Sequence, residues 1–375
     1  MLAIGVMTGT SLDAIDLAAC RFEIGENDSY SFELVATEAV PIEVLWKDRL
    51  LKLPHQSAEI YAKTHVYFGH YLGKHIAAFI EKYKLTPDFV AVHGQTIFHQ
   101  PEANFTAQIG DGETLVTYLN CPLVCNFRNK DIALGGQGAP LVPMGEKYLF
   151  PNQRFFLNLG GFANMTFNKP NDAKPIAFDV CACNIVLNEW ANKYDANVAY
   201  DAGGEIAKKG SFDAAFFADL NGLPYFRQPP PKSLGWEWVA ENVNPLLHKY
   251  ELSLPDMMHT FTEHVAFQMG RAAEKLQAGG ENLVITGGGR HNIFLMERLS
   301  FYLEKRNITI DTTISDEVID FKEAIIFAFL GLRTLTGKTN TLASVTGAKM
   351  AAVSGAIHLP VGFQERNFLD KFFDC

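Results

Sequence analysis

Apolar runs broken by glycine divide this chain into strands, turns and helices. Residues 2–7 form an apolar run that meets Thr8-Gly9-Thr10-Ser11-Leu12-Asp13, and residues 14–22 follow with alternating character, which predicts strand, turn and strand. Residues 155–159 break at Gly160-Gly161 and resume at 163–167, a second hairpin of similar build. Its glycines permit positive φ and leave no Cβ in the way of a ligand, so exposed backbone N–H groups can face an anion such as phosphate. Pro175-Ile176-Ala177-Phe178 predicts a strand that ends in Asp179, and a helix starts near Asn184 with Ile185, Val186, Leu187, Trp190 and Ala191 at helical spacing. Elsewhere the pattern predicts a helix over 54–84, with Ile60, Tyr61, His65, Phe68, Tyr71, Leu72, Ile76, Ile80 and Tyr83 on its buried face. Strands are expected at 89–92, 123–127 and 283–285, and helices at 114–119 and 255–276, with a helix buried on most sides from Lys322 to Leu330.

Two similar hairpins, each opening one half of the chain, suggest two related α/β lobes facing each other across a cleft, with nucleotide phosphates held between the two turns. The length of 375 residues suits two packed cores. The expected division is an N-terminal lobe over 1–140, completed by 345–375, and a C-terminal lobe over 141–344.

A net charge of −10 without a basic cluster argues against nucleic acid as a partner. The first residues lack the features of a signal peptide and no apolar run is long enough to span a bilayer, so the expectation is a cytoplasmic protein with no membrane partner. Cys20, Cys121, Cys125, Cys181, Cys183 and Cys375 read as free thiols. A four-thiolate zinc site built from the Cys121/Cys125 and Cys181/Cys183 pairs lacks the two-residue spacing such sites use.

The candidate chemistry gathers at glycine turns. Thr10 and Ser11 offer hydroxyls, and Asp13 offers a carboxylate suited to holding Mg²⁺ through water. His93-Gly94-Gln95-Thr96 closes a strand, where open α/β sheets bind ligands; the plain alternative is a histidine capping a turn. Asp111 reads as a helix cap. Arg128 is placed to clamp a carboxylate, or else to form a surface ion pair. Residues 135–143 are glycine-dense without the lysine of a P-loop, and read as a substrate loop or hinge. Pro229-Pro230-Pro231 stiffens a loop carrying Lys232 and Ser233. Gly287-Gly288-Gly289, followed by Arg290-His291-Asn292, allows close approach to a flat ring or sugar, favouring an adenosine pocket. Glu323, near the start of its helix, either caps it or reaches a ligand.

In combination these segments resemble the anhydro-N-acetylmuramic acid kinases of the actin and sugar-kinase superfold. The resemblance runs from Gly5 to Ile357 and rests on Gly9-Thr10-Ser11-Leu12-Asp13, His93-Gly94-Gln95-Thr96, 108–112, Phe127-Arg128, 135–143, 158–164, Pro230-Pro231-Lys232-Ser233, Gly287-Gly288-Gly289 and Thr346-Gly347-Ala348. It implies two actin-like, ribonuclease H-like lobes with a nucleotide cleft between them. It implies ATP and Mg²⁺ as cofactors, with Gly9, Thr10, Ser11, Asp13, Asn158, Gly160, Gly161 and Asn164 toward the phosphates and Gly287, Gly288, Gly289 and Asn292 toward adenosine. A small-molecule sugar substrate would meet His93, Gln95, Arg128, Lys232 and Glu323. Asp179 matches the general base for a joint reaction in which water opens 1,6-anhydro-N-acetylmuramic acid and O6 accepts the γ-phosphoryl group. A homodimer is also implied. The alternatives are an actin- or chaperone-like ATP-driven switch, which has no use for a base aimed at a sugar carbon, and a kinase for another amino sugar. The sequence departs from the family pattern at Val180-Cys181-Ala182-Cys183, where threonine, glycine, proline and glycine are usual. It departs also at Asn126, usually aspartate, at Ala14, usually glycine, and at Leu234 and Trp236, usually threonine and arginine. The loss of glycines after Asp179 is expected to fill space beside the sugar.

Overall fold

The computed structural model describes residues 1–9, 12–169, 175–230 and 232–363. The chain divides into two compact units, the first made of residues 1–151 and the segment from Asp320 onward, the second of residues 152–319. These limits differ from the 140/141 and 344/345 boundaries read from the sequence. The reason is close helix packing in the first unit. A Cβ added to Gly5 would lie 1.8 Å from the Ala324 carbonyl oxygen, and one on Gly145 would lie 2.4 Å from Ile326 Cγ1. Helices Val142–Leu149 and Lys322–Leu335 therefore belong with the first sheet.

Strands β1 (Leu2–Thr8), β2 (Ala14–Ile24), β3 (Tyr30–Pro41), β4 (Phe89–Val92), β5 (Gln95–Gln100), β6 (Phe105–Ile109) and β7 (Leu123–Cys125) lie in the first unit. The second unit holds β8 (Phe155–Leu159), β9 (Phe162–Phe167), β10 (Ile176–Ala182), β11 (Asn282–Thr286) and β12 (Thr309–Ile310), and β13 (Ala356–His358) returns to the first. The first sheet runs β13-β7-β4-β1-β2-β3 and the second β10-β9-β8-β11-β12, while β5 and β6 pair separately. In each unit the opening three strands are antiparallel and the next two join parallel to the first. Setting β13 aside, both sheets thus share one 3-2-1-4-5 order, the ribonuclease H-like arrangement that the family resemblance implied. Parallel strands are covered on both faces, which is why Phe89-Val90-Ala91-Val92 is apolar throughout and wholly buried.

Helix Ala58–Tyr83 covers the first sheet, capped by Ser57, whose Oγ accepts from the Ile60 N–H. Phe68, Tyr71, Leu72 and Ile76 are buried as the periodicity predicts, but Ile60 and Tyr83 are exposed. At about 1.5 Å per residue the helix outruns the strands beneath it, so its ends reach solvent. In the second unit helix Leu254–Lys275 supplies Phe261, whose ring meets the buried Trp190 of helix Asn184–Tyr194 edge-on at 5.1 Å.

The first unit also buries an ion pair, Lys322 Nζ to Glu146 Oε1 at 2.6 Å, with side chains 5% and 3% exposed. Removing one member strands the other charge in a poorly polarisable interior. Lys322→Met is expected to cost about 3–5 kcal/mol of stability, measured by urea unfolding, whereas Lys322→Met with Glu146→Leu should recover most of the loss.

Candidate functional site

Sheet register lines up the polar candidates of the second unit. Asp179 on β10 faces Asn164 on β9, Asn164 faces Asn158 on β8, and Asn158 faces Thr286 on β11. Residues paired in this way project from the same face, strand by strand, at spacings of about 4.8 Å. All four belong to strands whose other residues are largely buried, yet Asn158, Asn164 and Asp179 keep partial exposure. The Thr286 hydroxyl donates to Asn158 Oδ1 at 3.3 Å, which holds one end of the row.

Glycine loops border that row, though not in the way the sequence suggested. Gly160 and Gly161 are not among the positive-φ glycines; Gly287, at φ 84°, is. The carbonyls of Gly160 and Gly161 accept from the N–H groups of Asn184, Cys183 and Ile185, tying the turn to the start of the following helix. Gly287 and Gly289 are needed for close approach, because a Cβ on either would fall within 2.8 Å of β8, at Asn158 Oδ1 and Leu159 respectively. Gly288 has nothing within 4 Å of its Cβ position and faces open space. Asn292, expected near the nucleotide, caps helix Ile293–Glu304 by accepting from the Leu295 N–H at 3.0 Å.

Asp179 lies within β10, not at its end. The strand continues through Ala182, with a register shift between Asp179 and Cys181 that marks a β-bulge. The Leu234 N–H donates to Asp179 Oδ2 at 2.8 Å, which favours the charged form, but burial outweighs it and pushes the carboxyl up to about 6. Lys232 is beside it. Its ammonium donates to the Tyr225 carbonyl at 3.0 Å and lies 4.1 Å from the Tyr225 ring centre, and burial with Lys275 nearby pulls it down to about 8.

The first unit carries the remaining candidates. His93, at the end of β4, is buried; Arg128 Nε donates to its Nε2 at 2.9 Å, so its Nδ1 carries the proton and donates to the Gly94 carbonyl at 2.6 Å. Burial and the Arg128 charge hold the imidazole well below its ordinary range, and it is neutral. Arg128 also donates from Nη1 to the Gly138 carbonyl at 2.7 Å, and burial lowers it to about 10 against the opposing charges of Glu323 and Asp131. Arg128 is thus a half-buried member of a polar network, not a surface ion pair. Glu323 is pushed up by burial, with Lys322 and Arg128 acting against the rise. Gln95 is buried with its Oε1 unpartnered among the described residues. Gly9 accepts from the Leu12 N–H at 3.1 Å, closing the first turn, and Asp13 is exposed. Thr10 and Ser11 lie outside the described residues.

The glycine-dense loop is braced by Asp131. Asp131 Oδ2 accepts from the Gly138 N–H and its Oδ1 from the Thr346 hydroxyl, each at 2.8 Å, and a Cβ on Gly136 would come within 2.3 Å of the same carboxylate. Asp111 is the helix cap the sequence indicated, accepting from the Thr114 N–H at 2.7 Å. Val180, Cys181, Ala182 and Cys183 are all buried in the second unit's core. Asn126 takes φ 61°, a left-handed conformation that asparagine and aspartate tolerate alike. Leu234 serves Asp179 through its main chain, so a leucine in place of threonine keeps the bond.

Two residues escaped the sequence reading. Asp16 on β2 is pushed up to about 6 by burial and by Glu323, Asp320 and Asp13 around it. A carboxylate within an otherwise apolar strand was the available signal. Tyr225 donates from its hydroxyl to the Asp179 carbonyl at 2.6 Å, and nothing local in the sequence marks it.

Comparison with known proteins bears on the whole chain. The family model for anhydro-N-acetylmuramic acid kinase matches residues 1–360. A Coxiella burnetii protein named anhydro-N-acetylmuramic acid kinase is 34% identical over 95% of this chain and 96% of its own. A Vibrio cholerae protein of the same name is 33% identical over 96% and 98%. Among solved structures, the Acidaminococcus fermentans (R)-2-hydroxyglutaryl-CoA dehydratase component A overlays with a TM-score of 0.42 at 12% identity, covering 87% of this chain and 99% of that one. At that score the structural likeness carries no argument, but a match over nearly the full length at a third identity does: the chain belongs to the anhydro-N-acetylmuramic acid kinase family.

Proposed function

We propose that this kinase phosphorylates 1,6-anhydro-N-acetylmuramic acid at the expense of ATP while hydrolysing its anhydro bridge. Water attacks the anomeric carbon, the bond from that carbon to O6 breaks, and O6 takes the γ-phosphoryl group, giving N-acetylmuramic acid 6-phosphate and ADP. Because phosphorus captures the departing O6, the sugar needs no separate general acid, while the attacking water needs a base. The observation that carries the reading is Asp179, a carboxyl pushed up to about 6 by burial and oriented by the Leu234 N–H. Such a group is ionised at neutral pH yet basic enough to take a proton from water.

Asn158, Gly160, Gly161, Asn164 and the Gly287-Gly288-Gly289 loop are assigned to the nucleotide. The open space at Gly288 and the carboxamides along the strand row support this. Asn292 would act there by shaping the loop, since its side chain is a cap. In the first unit Gly9 is assigned to phosphate, and Asp13, an exposed carboxylate, suits a hydrated Mg²⁺. That ion would neutralise phosphate charge when bound. Gln95, with its orphaned Oε1, His93, Arg128 and Glu323 are assigned to the sugar, as is Lys232 in the second unit. Among the described residues no helix is long and apolar enough to cross a membrane. Family membership supports a cytoplasmic homodimer, for which light scattering of the purified chain should return twice its mass.

Sugar-dependent ADP formation is expected with 1,6-anhydro-N-acetylmuramic acid and absent with N-acetylglucosamine or no sugar. Asp179→Asn should lower kcat by about 10²–10⁴-fold with nucleotide affinity unchanged; a fully active Asn variant removes Asp179 from this role. The rate should also follow the Asp179 charge, with kcat/KM falling tenfold per pH unit below about 6.

The same carboxyl sets a stability prediction. Its folded pKa of about 6 lies above the ordinary 3.8, so the folded state holds the proton more tightly. Its favourable contribution is complete below pH 3.8 and is lost as pH rises through about 6. Asp179→Asn should therefore raise the melting temperature at pH 7.5, by an amount equivalent to at most about 3 kcal/mol, and the gain should vanish near pH 4 in calorimetry.

A further inference from the structure

Strand β10 is an edge strand: among the described residues it pairs in its sheet with β9 alone. Its register slips between Asp179 and Cys181, so the ladder that would hold a regular strand is interrupted at the residue whose direction matters most. What replaces it comes from Tyr225, Lys232 and Leu234. The Asp179 N–H donates to the Lys232 carbonyl at 3.1 Å, the Leu234 N–H donates to Asp179 Oδ2 at 2.8 Å, and the Tyr225 hydroxyl donates to the Asp179 carbonyl at 2.6 Å. Two of these bonds have main-chain donors and do not depend on the side chains of Lys232 or Leu234. The third depends on one phenol.

We propose that Tyr225 is a positioning residue for proton transfer by Asp179, its hydroxyl fixing the bulge so that the carboxylate keeps one direction. The proposal rests on the assignment of Asp179 as the base. Tyr225 is itself well braced. Its ring lies 5.4 Å from that of Trp238, the Lys232 ammonium stands 4.1 Å from its centre, and the same ammonium holds its carbonyl at 3.0 Å. Burial and the nearby Asp179 charge push its hydroxyl above the ordinary phenol range, so it remains a donor at every working pH. A rigid, permanently protonated phenol is suited to hold a carbonyl in place and unsuited to exchange protons itself. It touches the backbone of Asp179 and acts on the reaction only through that residue.

The test is Tyr225→Phe, which keeps the ring and its cation contact and deletes only the hydroxyl. Turnover with ATP and 1,6-anhydro-N-acetylmuramic acid is expected to fall 10- to 100-fold in kcat, with KM for ATP within twofold. The acid limb of the pH profile should move to lower pH, because a loosened carboxylate gains water and burial is the larger cause of its raised pKa. In an Asp179→Asn background the same change should cost nothing further. A Tyr225→Phe enzyme with unchanged kcat and an unmoved limb overturns the proposal, as does an equal loss in both backgrounds. Near-UV circular dichroism of the variant separates these results from misfolding; should it misfold, Tyr225→Trp, which restores bulk without reaching the carbonyl, takes its place with the same expected pattern. A fully active Asp179→Asn enzyme defeats the base assignment instead. An inactive Asp179→Asn beside a wild-type-like Tyr225→Phe defeats the positioning role alone.

Discussion

The second unit depends on one register: Asp179, Asn164, Asn158 and Thr286 standing opposite one another across four strands. Antiparallel pairing has a period of two, so a one-residue slip in either hairpin arm would turn this polar row into the core and bring the apolar set to the surface. That penalty is large because Leu157, Ala163 and Met165 are fully buried on the other face. Hydrophobic burial thereby fixes where the polar groups point. The row is a consequence of the core.

Within that frame the chemistry comes from incomplete solvation. Asp179 has a hydrogen-bond donor in Leu234 and still rises to about 6, because burial penalises its charge more than one N–H repays. The side chain best suited to take a proton is thus one that the folded state holds at a cost. The first unit solves a related problem differently. His93 is buried against the half-buried Arg128, and burial first, with the guanidinium charge added to it, keeps the histidine neutral. Glu323 is pushed up in the same surroundings, and the opposite charges of Lys322 and Arg128 limit the rise.

Glycines serve in two distinct ways. At Gly5, Gly145, Gly287 and Gly289 they admit a backbone or side chain that a Cβ would strike. At Gly160 and Gly161 neither positive φ nor a close contact requires them. Their carbonyls receive the N–H groups that open the next helix, which ties the turn to that helix. At Gly288 a Cβ would meet nothing within 4 Å.

Much was legible in the sequence because it follows from local rules. Alternation and glycine breaks gave both hairpins, the apolar run gave β4, and the duplicated pattern gave two α/β units of one topology. Asp111 as a cap was readable for the same reason, since it sits against a turn and a helix start that the neighbouring residues declare. Other features depend on residues distant in the chain. The unit boundaries follow from Gly5 meeting Ala324, the role of the 135–143 loop from Asp131 meeting Thr346, and the inward turn of Cys181 and Cys183 from the core around them. The hydroxyl of Tyr225 reaches Asp179 across 46 positions. Local pattern determines what a segment becomes, because backbone sterics and side-chain periodicity act within a few residues. Which carboxyl loses its water, and which donor reaches it, is decided only when packing brings separate segments together.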